Sequence, residues 1–196
     1  MKSMSRELDR ISSEVRICTK CDLYKERKMA VPGEGPADAR VMFIGEGPGA
    51  QEDLTGRPFV GSAGKLLTEL LGSIGLDRSS VFITNIVKCR PPNNRPPRKT
   101  EIETCVSLYL QPQIRIINPK IIVPLGTPAI KTLMGDDYSA RSVHGKVFRK
   151  EGRFFLPLFH PAAALYDVRL KDTMFEDVKM LRELLDGREV VAQPIS

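Results

Sequence analysis

Four cysteines offer the most direct chemistry in this sequence: Cys18 and Cys21 with two residues between them, then Cys89 and Cys105 with fifteen. A pair at the shorter spacing can grip one metal centre from a single turn. A second pair delivered by the fold completes four thiolate ligands, a set that suits zinc or an iron–sulfur cluster. Spacing does not choose between the two, and the closely spaced cysteine run of ferredoxins is absent. Two disulfides are disfavoured, because residues 1–10 are charged and carry no apolar stretch of a secretory signal. Four unrelated core thiols fit poorly with Cys18 and Cys21 standing among Lys20, Asp22 and Lys25.

Other segments carry chemistry of a different kind. Gly45-Glu46-Gly47-Pro48-Gly49 lets a backbone approach a ligand and present N–H groups. It is a poor dinucleotide site: Pro48 removes a donor, Glu46, Glu52 and Asp53 repel a pyrophosphate, and no helix is expected directly at the turn. Phe59, in Gly56-Arg57-Pro58-Phe59-Val60-Gly61, could stack on a planar base or pack as satellite core. Asn85 offers a donor and an acceptor on one plane, which suits a base edge with an acceptor beside an N–H; the plainer reading is a capping asparagine. His160, followed by Pro161, could donate to an oxygen that gains charge during reaction. His144 has no comparable setting and reads as structural or surface. Arg90, Arg95, Arg98 and Lys99 form a basic, proline-rich loop between Cys89 and Cys105, fit for phosphates or simply for solvent.

These residues need elements to place them. Short apolar runs at residues 41–44, 81–84, 121–123 and 154–158 read as strands. Helices are expected from a cap at Ser5 through Leu8, Ile11 and Val15, over residues 63–74, from a Thr100–Glu103 capping box to residue 117, over 127–134 and over 171–185. Residues 22–39, 45–62 and 90–99 read as loops. The alternation predicts an α/β fold with a mostly parallel sheet and helices on both faces. In such sheets the ligand crevice lies beyond the carboxyl ends of the strands, where Gly45, Asn85 and His160 all fall. With 196 residues, 41% hydrophobic and 28% charged, the chain suits one domain with its own core, and a net charge of +6 favours an acidic partner such as nucleic acid. No apolar run reaches the ~18 residues of a membrane span, so an intracellular protein without membrane contact is expected.

In this order the segments resemble family 4 uracil-DNA glycosylases, the iron–sulfur branch of their superfamily, over about residues 10–185. The matching strings are Gly45-Glu46-Gly47-Pro48-Gly49 with Glu52-Asp53, Gly56-Arg57-Pro58-Phe59-Val60-Gly61, Thr84-Asn85-Ile86-Val87-Lys88-Cys89-Arg90-Pro91-Pro92 and His160-Pro161-Ala162-Ala163. The cysteine spacing matches as well. The resemblance implies a three-layer α/β/α domain over residues 1–196, with a four-stranded sheet, an N-terminal helix and an iron–sulfur loop. It implies a structural [4Fe–4S] cluster on Cys18, Cys21, Cys89 and Cys105. It also implies excision of uracil from DNA after the nucleotide is flipped out. Phe59 would stack on the base, Asn85 would read O4 and N3–H, His160 would bond O2, and main-chain groups at Gly45–Gly47 would close the pocket.

The best-known branch of the superfamily has an aspartate where Gly47 stands and a tyrosine where Gly49 stands. Neither is present, so Glu46 is expected near the water and Glu52 near the base edge. Leu165 is the candidate wedge into the duplex, and Arg90, Arg95 and Arg169 are candidate phosphate contacts. The covalently trapping branch has an extra histidine after the second strand; residues 90–104 hold none. A monomer acting on uracil-containing DNA in the cytoplasm or nucleoid is expected, and a sliding clamp is a conceivable partner that the sequence does not identify. The rival reading is a non-catalytic, metal-stapled nucleic-acid-binding module of the same fold.

Overall fold

The computed structural model describes residues 2–195. Its centre is one sheet built from β1 (Val41–Gly45), β2 (Phe82–Asn85), β3 (Ile121–Pro124), β4 (Phe148–Lys150), β5 (Arg153–Phe155) and β6 (Gln193–Pro194), in the order β2-β1-β3-β5-β4-β6. Strands β2, β1, β3 and β5 run parallel, β4 is antiparallel to β5, and β6 pairs parallel with β4. The sheet therefore has six strands where four were expected. The missed β4 reads Phe148-Arg149-Lys150, too short and too charged for an apolar run. It is turned into β5 by Glu151 and Gly152, at φ 51° and 76°, the left-handed pair that a tight hairpin requires. The two-residue β6 has no strand signal at all.

The helices are α1 (Lys2–Ile17), α2 (Ala50–Thr55), α3 (Ser62–Ser73), α4 (Lys99–Cys105), α5 (Gln111–Ile117), α6 (Thr127–Met134), α7 (Ala140–Val143) and α8 (Arg169–Leu185), with a π segment, Val106–Leu110, joining α4 to α5. Ser5 lies inside α1 rather than capping it. The start of α4 is fixed by Glu101, whose carboxylate accepts the Arg98 N–H at 2.7 Å; the expected Thr100–Glu103 box is not the one used. A short helix, α2, also stands where residues 45–62 were read as loop throughout.

Alternate residues of the parallel strands feed two cores. Val41, Phe43 and Val123 pack with Leu67 and Leu71 of α3 and with Met174, Val178 and Leu181 of α8. Met42, Ile44 and Ile122 pack with Leu8 of α1, Ile117 of α5 and Ile130 and Met134 of α6. Both faces are covered, which is why these strands are apolar without alternation. A third cluster gathers Ile11, Val15, Leu23, Val87 and Tyr109 around the cysteines. The chain leaves β1 for β2 on one side and reaches β3 on the other. The crevice of such a switch point opens at the carboxyl end of β1, at Gly45.

Candidate active site and cysteine centre

The parallel register sets Gly45 directly beside Asn85 at the carboxyl ends of β1 and β2. Asn85 is 1% exposed. Its Oδ1 is buried without a hydrogen-bond partner. A buried acceptor left open costs about 1–3 kcal/mol, so it points to a donor that arrives with a ligand. Glycine is needed opposite it: a Cβ on Gly45 would lie 2.5 Å from Asn85 Oδ1 and 2.6 Å from Phe59 Cζ. Phe59 is buried and holds φ 51°, a left-handed conformation uncommon for an aromatic residue. Its ring centroid is 5.5 Å from that of His160. Gly64, in the first turn of α3, makes room for the Phe59 turn, since a Cβ there would overlap the Phe59 carbonyl.

His160 leaves the sheet after residue 158 and begins the turn Pro161–Leu165. The Ala162 N–H donates to its Nδ1 at 3.1 Å. A neutral ring with Nδ1 as acceptor carries its proton on Nε2. Burial pushes the pKa down to about 4, with Glu52 pulling weakly the other way, so the imidazole is neutral at physiological pH. The group offered to a ligand is therefore an uncharged Nε2–H. The same turn ends in exposed apolar residues, with Leu165 at 53% and Tyr166 at 92% exposure, so the expected wedge stands free.

Glu46, Gly47, Gly49, Pro91, Arg95 and His160 line one cleft. Burial raises the Glu46 pKa above the ordinary carboxylate value, and among the described residues no hydrogen-bond partner fixes its carboxylate in place. Glu52 behaves otherwise. Its Oε2 accepts the Gly49 N–H at 3.1 Å, while Oε1 accepts the Val60 and Gly61 N–H groups at 2.8 and 2.9 Å. The carboxylate expected at the base edge instead holds the turns on either side of Phe59. It also fills the start of α2 from within, which leaves no N-terminal anion site there.

The basic residues are partly committed. Arg95 forms two bonds to Glu101, at 2.9 and 2.7 Å, which tie the loop to α4. Arg90 donates through Nε to Asn94 at 2.8 Å, and Arg169 pairs with Asp167 on the surface. His144 bonds Asp177 at 2.8 Å and packs on Phe159 away from the cleft, in keeping with a structural role.

All four cysteines face one cavity, together with Leu23, Arg27 and Tyr109, and Cys89 and Cys105 are buried. Sequence reasoning missed two cations there. Arg27 donates to Cys89 Sγ at 3.1 Å. Lys88 is wholly buried with only neutral partners: Thr84 Oγ1 at 2.6 Å, the Asn85 carbonyl at 2.8 Å and Gln113 Oε1 at 2.8 Å. Burial pushes its pKa down to about 8, and the Cys105 thiol opposes that shift. A lysine between Val87 and Cys89 carries no sign in the sequence that it will be buried. Thiolates with two adjacent cations form a donor set suited to an anionic metal–thiolate centre. Among the described residues no three His, Cys, Asp or Glu side chains converge on a point fit for one metal ion. All four sulfurs line a single cavity, so the set can serve one shared metal centre.

A family model described as the uracil DNA glycosylase superfamily matches residues 32–184. Three similar proteins bear the name type-4 uracil-DNA glycosylase. That of Sulfurisphaera tokodaii is 50% identical, covering 90% of this chain and 84% of the relative. That of Saccharolobus solfataricus is 47% identical, covering 93% and 88%. That of Archaeoglobus fulgidus is 47% identical, covering 93% and 95%.

Proposed function

The chain belongs to the uracil-DNA glycosylase superfamily, and on that premise we propose that it acts as a type-4 uracil-DNA glycosylase, excising uracil from DNA inside the cell and leaving an abasic site. The observation that carries the chemistry is the orphaned Oδ1 of Asn85, buried beside Gly45 and close to Phe59, whose ring neighbours the neutral His160. A base stacked on Phe59 with its N3–H on Asn85 Oδ1 satisfies that acceptor. Cytosine brings an acceptor at N3 and leaves two acceptors opposed. His160 Nε2–H then bonds O2 as the C1′–N1 bond breaks and the electron pair moves onto the leaving base. Water adds to the oxocarbenium-like sugar, oriented by Glu46, which takes the released proton. Leu165 fills the gap left by the flipped nucleotide, and Arg90 and Arg169 approach phosphates.

The direct test is incubation with a uracil-containing oligonucleotide followed by alkaline cleavage of abasic sites. Strand scission at the uracil is expected; its absence over a range of temperatures would leave the non-catalytic binding module as the reading. The acid limb of the pH profile identifies the base. Glu46 acts as the carboxylate, and its pKa is raised, so excision falls as pH drops through a value above that of an ordinary glutamate. Burial moves His160 the opposite way, down to about 4. Glu46→Gln should lower the rate at neutral pH by about 10²-fold and flatten the acid limb; a limb that persists unchanged in single-turnover rates assigns it elsewhere.

Cys18, Cys21, Cys89 and Cys105 would hold a [4Fe–4S] cluster, which when bound cross-links α1, the loop after β2 and α4 rather than taking part in glycosidic cleavage. The chain's own contribution is charge: Arg27 donates to Cys89 Sγ, and the buried Lys88 lines the same cavity. Cys105→Ala should remove iron and sulfide, bleach the broad absorption near ~400 nm and lower the melting temperature, because ligand binding is folding free energy here. Wild-type protein that is colourless with stoichiometric zinc would overturn the cluster.

A further inference from the structure

Phe59 is held in an unfavourable conformation from both sides. On its C-terminal side the Val60 and Gly61 N–H groups are bonded by Glu52. The second holder is Arg78, from the turn Arg78–Ser80 that leads into β2. Arg78 donates from Nη1 to the Phe59 carbonyl at 2.6 Å and from Nη2 to the Pro58 carbonyl. Its Nε donates to Glu34 at 2.9 Å, and Glu34 in turn binds Arg57 at 2.9 Å, from the same glycine-flanked turn. The backbone of Glu34 is bridged to Ile83 of β2 in both directions, at 3.0 and 2.8 Å. The planar fork of one guanidinium thus ties two consecutive carbonyls of the Phe59 turn to a carboxylate fastened on the strand that ends in Asn85.

We propose that Arg78 is a positioning residue for base recognition, setting the Phe59 ring at a fixed offset from the Asn85 edge so that face and edge of one pyrimidine are met together; this rests on the uracil reading above. Arg78 touches neither base nor sugar and acts only through Phe59. Without the fork, the left-handed turn at φ 51° loses the bonds that hold its carbonyls, and the ring is free to leave the face of the pocket.

The test is a double-mutant cycle on inhibition by free uracil, combining Arg78→Ala with Phe59→Ala, alongside melting temperatures. Arg78→Ala should weaken uracil inhibition by about tenfold in the parent. In the Phe59→Ala background it should have almost no further effect, although its thermal penalty remains. A merely structural arginine would lower melting in both backgrounds and leave uracil affinity alone. Arg78→Lys supplies a folded alternative: a single ammonium cannot bridge two carbonyls and Glu34, so its affinity should fall between the two. Unchanged uracil affinity in Arg78→Ala or Arg78→Lys, or equal losses in both backgrounds, overturns the role of Arg78. A parent protein that neither excises uracil nor is inhibited by it overturns the uracil reading instead.

Discussion

Replacing His160 by alanine is expected to slow uracil excision by at least about 10²-fold while changing DNA affinity little. The size follows from what the residue offers. The Ala162 N–H fixes Nδ1 as an acceptor, so Nε2–H is already aimed when the base arrives. A preset donor at a developing oxyanion lowers the barrier by about 3–4 kcal/mol, and alanine removes all of that stabilisation. Phosphate and wedge contacts come from other side chains, so single-turnover rate and equilibrium binding should separate. The histidine also leaves a signature in stability. Its native pKa, depressed by burial to about 4, lies below the ordinary value of 6.5. Between these values the unfolded chain binds a proton that the native imidazole refuses. The histidine's contribution is therefore fully present above about pH 6.5 and is lost as pH falls toward 4. His160→Ala should flatten that part of the melting-temperature profile. A rate within a few-fold of the parent would remove His160 from the chemistry.

What could be read from the sequence, and what could not, divides along a physical line. Gly45, Asn85 and His160 were legible because each ends or follows an apolar run, and the parallel register sets the first two side by side. The four cysteines were legible as one set, and the fold brings all four to a single cavity. Charged residues were not. Glu46 and Glu52 look alike on paper. Only the presence of α2 brings the Glu52 carboxylate onto three backbone N–H groups and leaves Glu46 at the cleft. Arg95 reads as a phosphate contact until Glu101, nearly buried, claims its guanidinium. Lys88 drew no reading of its own, and the fold closes over it. In each case the partner lies on another element, and pattern within one segment cannot reveal it. The strands tell the same story: runs buried on both faces announced themselves, whereas β4 and β6 exist only because a neighbour offers an edge.

Asn85→Ala should separate stability from activity in opposite directions. In the free protein the Asn85 Oδ1 is desolvated and unpaired, a state that costs about 1–3 kcal/mol. Alanine removes the orphaned acceptor, and the small void it leaves lies between Gly45, which has no side chain, and the Phe59 ring. The variant should therefore melt no lower than the parent, and higher by about 2–4 °C for each kcal/mol recovered in a chain of this size. Excision should nevertheless fall about 10²–10³-fold in kcat/KM, because the base edge is no longer read and the stacked ring is free to slide over Phe59. Free uracil should lose its inhibition in parallel. An ordinary structural asparagine behaves in the reverse way: truncating it lowers the melting temperature and leaves catalysis near normal. Melting and single-turnover kinetics on the same preparation decide between them. A destabilised but active Asn85→Ala protein would mean that the unpaired oxygen is not the recognition element, and the pocket would need another reader of the pyrimidine edge.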